Sequence, residues 1–107
     1  TIRDKGREHR VQVADLVYLR AEGNYLWLQL KERHFLHRLT MNAVESELDP
    51  GRFLRIHRSY IVNLAHVRSS RYSGNNEFIF TLANGERIVS GRSYKETIAR
   101  ALQEQTV

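Results

Sequence analysis

The side chains best equipped for chemistry in this sequence fall in three short segments: Gly23-Asn24-Tyr25, Arg55-Ile56-His57-Arg58-Ser59 and Gly91-Arg92-Ser93. Asparagine can pair bidentately with adenine, arginine with guanine or phosphate, and serine or histidine with either kind of partner. Glycine lets two of these segments turn tightly toward a ligand. Catalysis fits the residues far less well. His34 and His37 lie three apart on a predicted strand, where they point to opposite faces and cannot share a metal ion. His57 and Ser59 lack the glycine pattern of a nucleophile elbow. Gly91-Arg92-Ser93 lacks the spacing of a phosphate-cradling loop, and the acids are scattered without a carboxylate pair. No catalytic residue, cofactor or metal is expected.

Charge points the same way. The 107 residues carry a formal charge of +5, and the window 51–75 holds Arg52, Arg55, Arg58, Arg68 and Arg71 with no acid between Asp49 and Glu77. The basic side chains are 14 Arg against three Lys, and arginine's planar fork matches phosphate and guanine edges where lysine is a point charge. A focused arginine cluster in a chain of pI near 10.0 is the footprint expected of a nucleic-acid binder. Arg52, Arg55, Arg68 and Arg71 are the expected sources of phosphate attraction. The chain has no cysteine, which excludes disulfides and thiolate sites and suggests a reducing, cytoplasmic setting. No apolar run approaches the ~18 residues of a membrane span.

The elements that must position these residues read as mostly β with two short helices. Residues 1–9 are polar and read as a linker, tether or frayed first strand, and the folded domain is expected over 10–105. Alternation predicts strands at Arg10–Val13, Val17–Glu22, Tyr25–Leu30 and His34–Arg38, with turns at Gly23-Asn24 and Lys31–Arg33. Thr40 is the expected N-cap of a helix through Leu48, with Met41, Val44 and Leu48 on one stripe. Phe53–Ile56 is extended, and Ser59–Leu64 is ambiguous between strand and helical turn. Val67–Tyr72 and Phe78–Leu82 form a hairpin around Ser73–Asn76. Asn84-Gly85 predicts a type I′ turn before Arg87–Val89. A helix over Tyr94–Gln105 carries Tyr94, Ile98 and Leu102 on one face. Most of the ten aromatic residues sit at core positions of these elements; Tyr25 is open between packing and base stacking.

Three stretches, LVYLRAEGNYLWLQL (16–30), FLRIHRSYIVNLAHV (53–67) and NGERIVSGRSYKETI (84–98), closely resemble the LytTR DNA-binding domain of bacterial response regulators, in order and spacing across about 10–103. The resemblance implies an elongated arrangement of several small β-sheets with two short helices. It also implies loops, rather than a helix-turn-helix, entering successive major grooves of double-stranded DNA. Carried over, the base-contacting positions are Asn24, Arg58 and Arg92, while Tyr25, Arg55, His57, Ser59, Ser93 and Lys95 take backbone or supporting roles. The pattern departs at Gly91, where the family often has serine. The resemblance further implies a transcriptional regulator of a two-component system, pairs of domains on direct repeats, a homodimer on DNA, and an N-terminal receiver domain outside this chain. Two rival classes remain: a β-rich protein-interaction module whose arginines meet an acidic partner, and a single-strand binder indifferent to sequence.

Overall fold

The computed structural model describes residues 2–4 and 7–104. Ile2–Asp4 (β1) and Arg7–His9 (β2) pair as an antiparallel hairpin. Thr1, Lys5 and Gly6 of the expected tether, and Gln105 at the end of the expected last helix, lie outside the described residues. The main framework is a five-stranded antiparallel sheet built from Tyr18–Glu22 (β3), Tyr25–Gln29 (β4), His34–His37 (β5), Phe53–His57 (β6) and Tyr60–Asn63 (β7). Its strand order is β5-β4-β3-β7-β6. Between β5 and β6 lies a one-turn helix, Met41–Glu45 (α1). A three-stranded antiparallel sheet comes next, Val67–Gly74 (β8), Glu77–Leu82 (β9) and Arg87–Val89 (β10), in the order β10-β9-β8. Lys95–Glu104 (α2) closes the chain.

Period-two alternation divides the larger sheet between two cores. Leu19, Leu26, Leu28, Phe35, Phe53 and Ile61 face Met41 and Val44 of α1. On the opposite face Tyr18, Leu54, Ile56 and Val62 pack against Phe78, Phe80, Leu82 and Ile88 of the smaller sheet and Ile98 of α2. Leu19, Ile56, Val62, Phe80, Leu82 and Ile98 have no exposed surface, and full burial of side chains this size is worth about 1.5–3 kcal/mol each. The molecule is long, 44 × 24 × 22 Å. No helix among the described residues is long and apolar enough to cross a membrane.

Three local expectations are revised and one ambiguity is resolved. The strand expected at Arg10–Val13 is absent, and Val13–Asp15 is a 3-10 turn with Val13 half exposed. Both edges of β3 are already taken by β4 and β7. The segment's carbonyls are met locally and by side chains instead: Asp15 N donates to Gln12 O (2.9 Å) and Leu16 N to Val13 O (3.1 Å), while Asn63 Nδ2 donates to Ala14 O (3.4 Å) and to Leu16 O just beyond (2.7 Å). The ambiguity at Ser59–Leu64 resolves as strand β7 with a 3-10 turn after it at Leu64–His66. Thr40 caps α1 as expected, accepting from Ala43 N at 3.1 Å, but the helix stops at Glu45. Glu47 and Leu48 donate three residues back, to Val44 and Glu45, so the last turn tightens. Asn84-Gly85 is not a type I′ turn, because only Gly85 takes a positive φ, +92°. Its loop spans four residues between β9 and β10, and Asn84 bonds Glu86 through both ends of its amide. The paired positive φ values occur instead at Asn75 (53°) and Asn76 (62°), the tip between β8 and β9.

Candidate nucleic-acid interface

Cross-strand register makes the first turn. Glu22 pairs with Tyr25, leaving only Gly23-Asn24 between β3 and β4. Gly23 has φ +58° and Asn24 does not, the sign pattern of a type II′ turn, which takes glycine first. Asn24 and Tyr25 are exposed. The neighbouring carboxylate, Glu22, is held by Arg20 at 3.2 Å, and Arg20 in turn lies 4.5 Å from the Trp27 ring centre.

The second turn, Arg58-Ser59, joins β6 to β7 after a bulge between Arg55 and His57. Such bulges bend a strand and re-aim the side chains beyond the bend. Arg55 fixes the result from within: its side chain is 13% exposed, and it donates to the main-chain oxygens of His57 (3.2 Å) and Arg58. It also donates to Asn42 Oδ1 (2.9 Å) and Glu45 Oε1 (3.0 Å) of α1. His57 Nδ1 accepts from Ser59 N at 3.0 Å, and its ring meets Tyr60 edge-on. Arg58 is exposed, and among the described residues no carboxylate pairs with it.

The third segment is drawn against the second. Gly91 N donates to Ile56 O at 2.8 Å. A Cβ at Gly91 would sit 3.2 Å from Tyr94 Cδ2, a crowded contact, and 3.5 Å from His57 Cδ2, an ordinary one, so glycine here mainly relieves crowding against the Tyr94 ring. Arg92 opens a 3-10 turn that runs through Tyr94 into α2. Arg92, Ser93 and Lys95 are exposed, and Arg92 has no carboxylate partner among the described residues. Ser90 is 2% exposed, and its Oγ accepts from Phe78 N at 2.9 Å, so that hydroxyl is committed internally.

Main-chain bonds place all three segments in one row. Ser59 O accepts from Ala21 N at 2.9 Å, which sets the second turn beside the end of β3 and hence beside the first. Gly91 extends the row past β6. With strands about 4.8 Å apart, the first two turns stand roughly 10 Å apart and the whole row is roughly 17 Å long. The structure thus brings Asn24, Arg58 and Arg92 to one edge, with Tyr25, His57, Ser59, Ser93 and Lys95 among them.

The arginine cluster is smaller than the one-dimensional count implied. Arg52 pairs with Asp49 (3.8 Å) and Arg55 with Glu45 (3.0 Å), both acids lying just outside the basic window. Arg55 is thus held inward by its bonds to the turn and to α1, leaving Arg58, Arg68 and Arg71 exposed and unpaired among the described residues. Only the three-dimensional return of α1 to β6 reveals that pairing.

The family model described as the LytTr DNA-binding domain matches residues 6–103. The chain is 46% identical over 61 residues to the CO-responsive transcriptional regulator RcoM of Rhodospirillum rubrum, covering 57% of this chain and 26% of that protein. It is 39% identical over 54 residues to the transcriptional regulatory protein LytR of Staphylococcus aureus, covering 50% of this chain and 22% of that one. A solved LytTr DNA-binding domain from Bacillus cereus superimposes with a TM-score of 0.81 at 27% identity, covering 86% of this chain and 84% of the other. The chain thus spans about a quarter of the length of these two curated relatives.

Proposed function

The chain belongs to the LytTR family of DNA-binding domains of transcriptional regulators, and on that premise we propose that it reads double-stranded DNA through the row of three turns. Asn24, Arg58 and Arg92 contact base edges in the major groove. Tyr25, His57, Ser59, Ser93 and Lys95 contact the sugar-phosphate backbone or support the turns, and Arg55 supports from beneath. The observation that carries this reading is the placement of all three positions along one edge, two of them arginines with no carboxylate partner among the described residues. A row of roughly 17 Å exceeds the ~12 Å width of one major groove and is about half the ~34 Å between successive ones, so entry of its two ends into successive grooves requires the end side chains to reach outward along the duplex.

The wider reading is a two-component output domain. Two copies occupy direct repeats as a homodimer, and a receiver domain elsewhere in the protein controls their engagement. The greater length of the matched relatives supports an input segment outside these residues. Selection of random duplexes on the isolated domain tests the core of the proposal: a defined motif is expected to emerge. Arg58→Ala and Arg92→Ala should each cost about 1–3 kcal/mol on the selected site and relax one base position. Equal losses on selected and random duplexes would make both arginines phosphate anchors only, and failure to enrich any motif would favour the acidic-partner or single-strand alternative.

A further inference from the structure

We propose that the tip between β8 and β9 is a fourth DNA-contacting element, gripping the sugar-phosphate backbone beyond the base pairs read by Arg92. The inference rests on the duplex-reading proposal above and adds Asn75 and Asn76, which neither the charge pattern nor the resemblance singled out.

Three observations place the tip in the row. Ser90 N donates to Phe78 O at 2.9 Å and Ser90 Oγ accepts from Phe78 N at 2.9 Å. This double link puts the start of β9 level with Gly91, on the side away from Asn24. Lys95 Nζ lies 5.4 Å from the Tyr72 ring centre, tying β8 to the first residue of α2. Tyr72 Oη then accepts from Asn76 N at 3.1 Å, so the tip is braced against the segment that carries Arg92. An exposed cation–π contact adds about 0.5–1 kcal/mol to that bracing.

What the tip offers is suited to phosphate and sugar oxygens. Asn75 and Asn76 are exposed, and neither amide side chain has a hydrogen-bond partner among the described residues. Both residues hold positive φ, where glycine would be the unstrained choice, so the turn itself has no need of their amides. Arg71, two positions from Ser73, is exposed and lacks a carboxylate partner among the described residues. Amides and cations on a braced loop are typical phosphate and sugar contacts, which fix register without reading sequence.

The geometry gives a directional test. Asn75→Gly/Asn76→Gly removes both amides while favouring the turn, so folding is preserved. The selected motif is embedded in three duplexes: one ending at its borders, one extended by about half a helical turn on the Arg92 side, and one extended equally on the Asn24 side. The two sides are assigned by which base preference is lost in Arg92→Ala and in Asn24→Ala. Extension on the Arg92 side should strengthen binding by the wild-type domain about tenfold, whatever the flanking sequence. The double variant should lose that gain and match wild type on the other two duplexes. An unchanged response of the double variant to the Arg92-side extension would overturn the inference while Arg92→Ala still weakens binding. Indifference to Arg92→Ala as well would bring down the underlying duplex-reading proposal too.

Discussion

Replacing Arg55 by alanine should damage the domain through its architecture before it affects electrostatic attraction to DNA. One guanidinium makes four hydrogen bonds, two to the main-chain oxygens of His57 and Arg58 and two to Asn42 and Glu45 on α1. Hydrogen bonds to a charged group contribute about 1.5–3 kcal/mol each, but they share one side chain and do not add. The carboxylate of Glu45 is 48% exposed, so its share is discounted toward the value of a surface pair, about 0–1 kcal/mol. The two turn carbonyls can recover water once freed. The expected loss is therefore about 2–3 kcal/mol, a large fraction of the ~5–15 kcal/mol total for a small domain. Urea unfolding would show it as a lower midpoint with an unchanged slope. Below the unfolding range, titration of selected and random duplexes should show a loss confined to the selected one, because a loosened Arg58 still meets phosphates but no longer holds its aim. An unchanged midpoint with equal losses on both duplexes would refute the clamp and make Arg55 a direct phosphate contact.

Further tests address the core, the charge and the alkaline limit. Phe80, fully buried at the heart of the second core, should cost about 3–5 kcal/mol as Phe80→Ala, measured by urea unfolding. If roughly six phosphates are neutralised, log K against log salt should fall with a slope near −5, and losing one phosphate contact should flatten it by about one. Burial, then the charge of Glu86, pushes the Tyr18 hydroxyl above its ordinary value of 10.0, with Arg20 opposing. As pH rises past about 10 the unfolded chain ionises this group while the folded chain keeps its proton, so the contribution of Tyr18 to stability is flat below that range and falls above it. Tyr18→Phe should lessen the alkaline drop in the urea midpoint, and an identical drop in the variant would exclude Tyr18 as its source.

Period-two alternation made β3, β4 and β6 legible, because a sheet buried on both faces by separate cores still alternates between them, Leu19 facing one and Tyr18 the other, and β9 legible because one of its faces, Phe78, Phe80 and Leu82, is buried. Turn chemistry located Gly23-Asn24 because glycine at that φ is required there. The same reasoning failed at Asn84-Gly85, where a four-residue loop removed the need for a second positive φ and the Asn84 amide closed the turn alone. It did place the Ser73–Asn76 turn between β8 and β9, but not the positive φ of Asn75 and Asn76, since asparagine signals that conformation more weakly than glycine. At the candidate site Asn24, Arg58 and Arg92 could be proposed from residue type and resemblance, and their segments lie along one edge. The role of Arg55 could not, because its partners Asn42 and Glu45 lie 13 and 10 residues away on an element whose return to β6 is a tertiary fact. The strand expected at Arg10–Val13 failed for the same reason: its neighbours in space, not its own alternation, decided its form.

The main-chain bonds that join the three turns, Ala21 N to Ser59 O and Gly91 N to Ile56 O, involve none of the side chains at positions 24, 58 and 92. Those three positions therefore behave like interchangeable type set in a fixed frame. If those side chains read bases as proposed, substituting one would change the base preferred while the distances among all three persist, so new binding preferences would be acquired one letter at a time without renegotiating the fold.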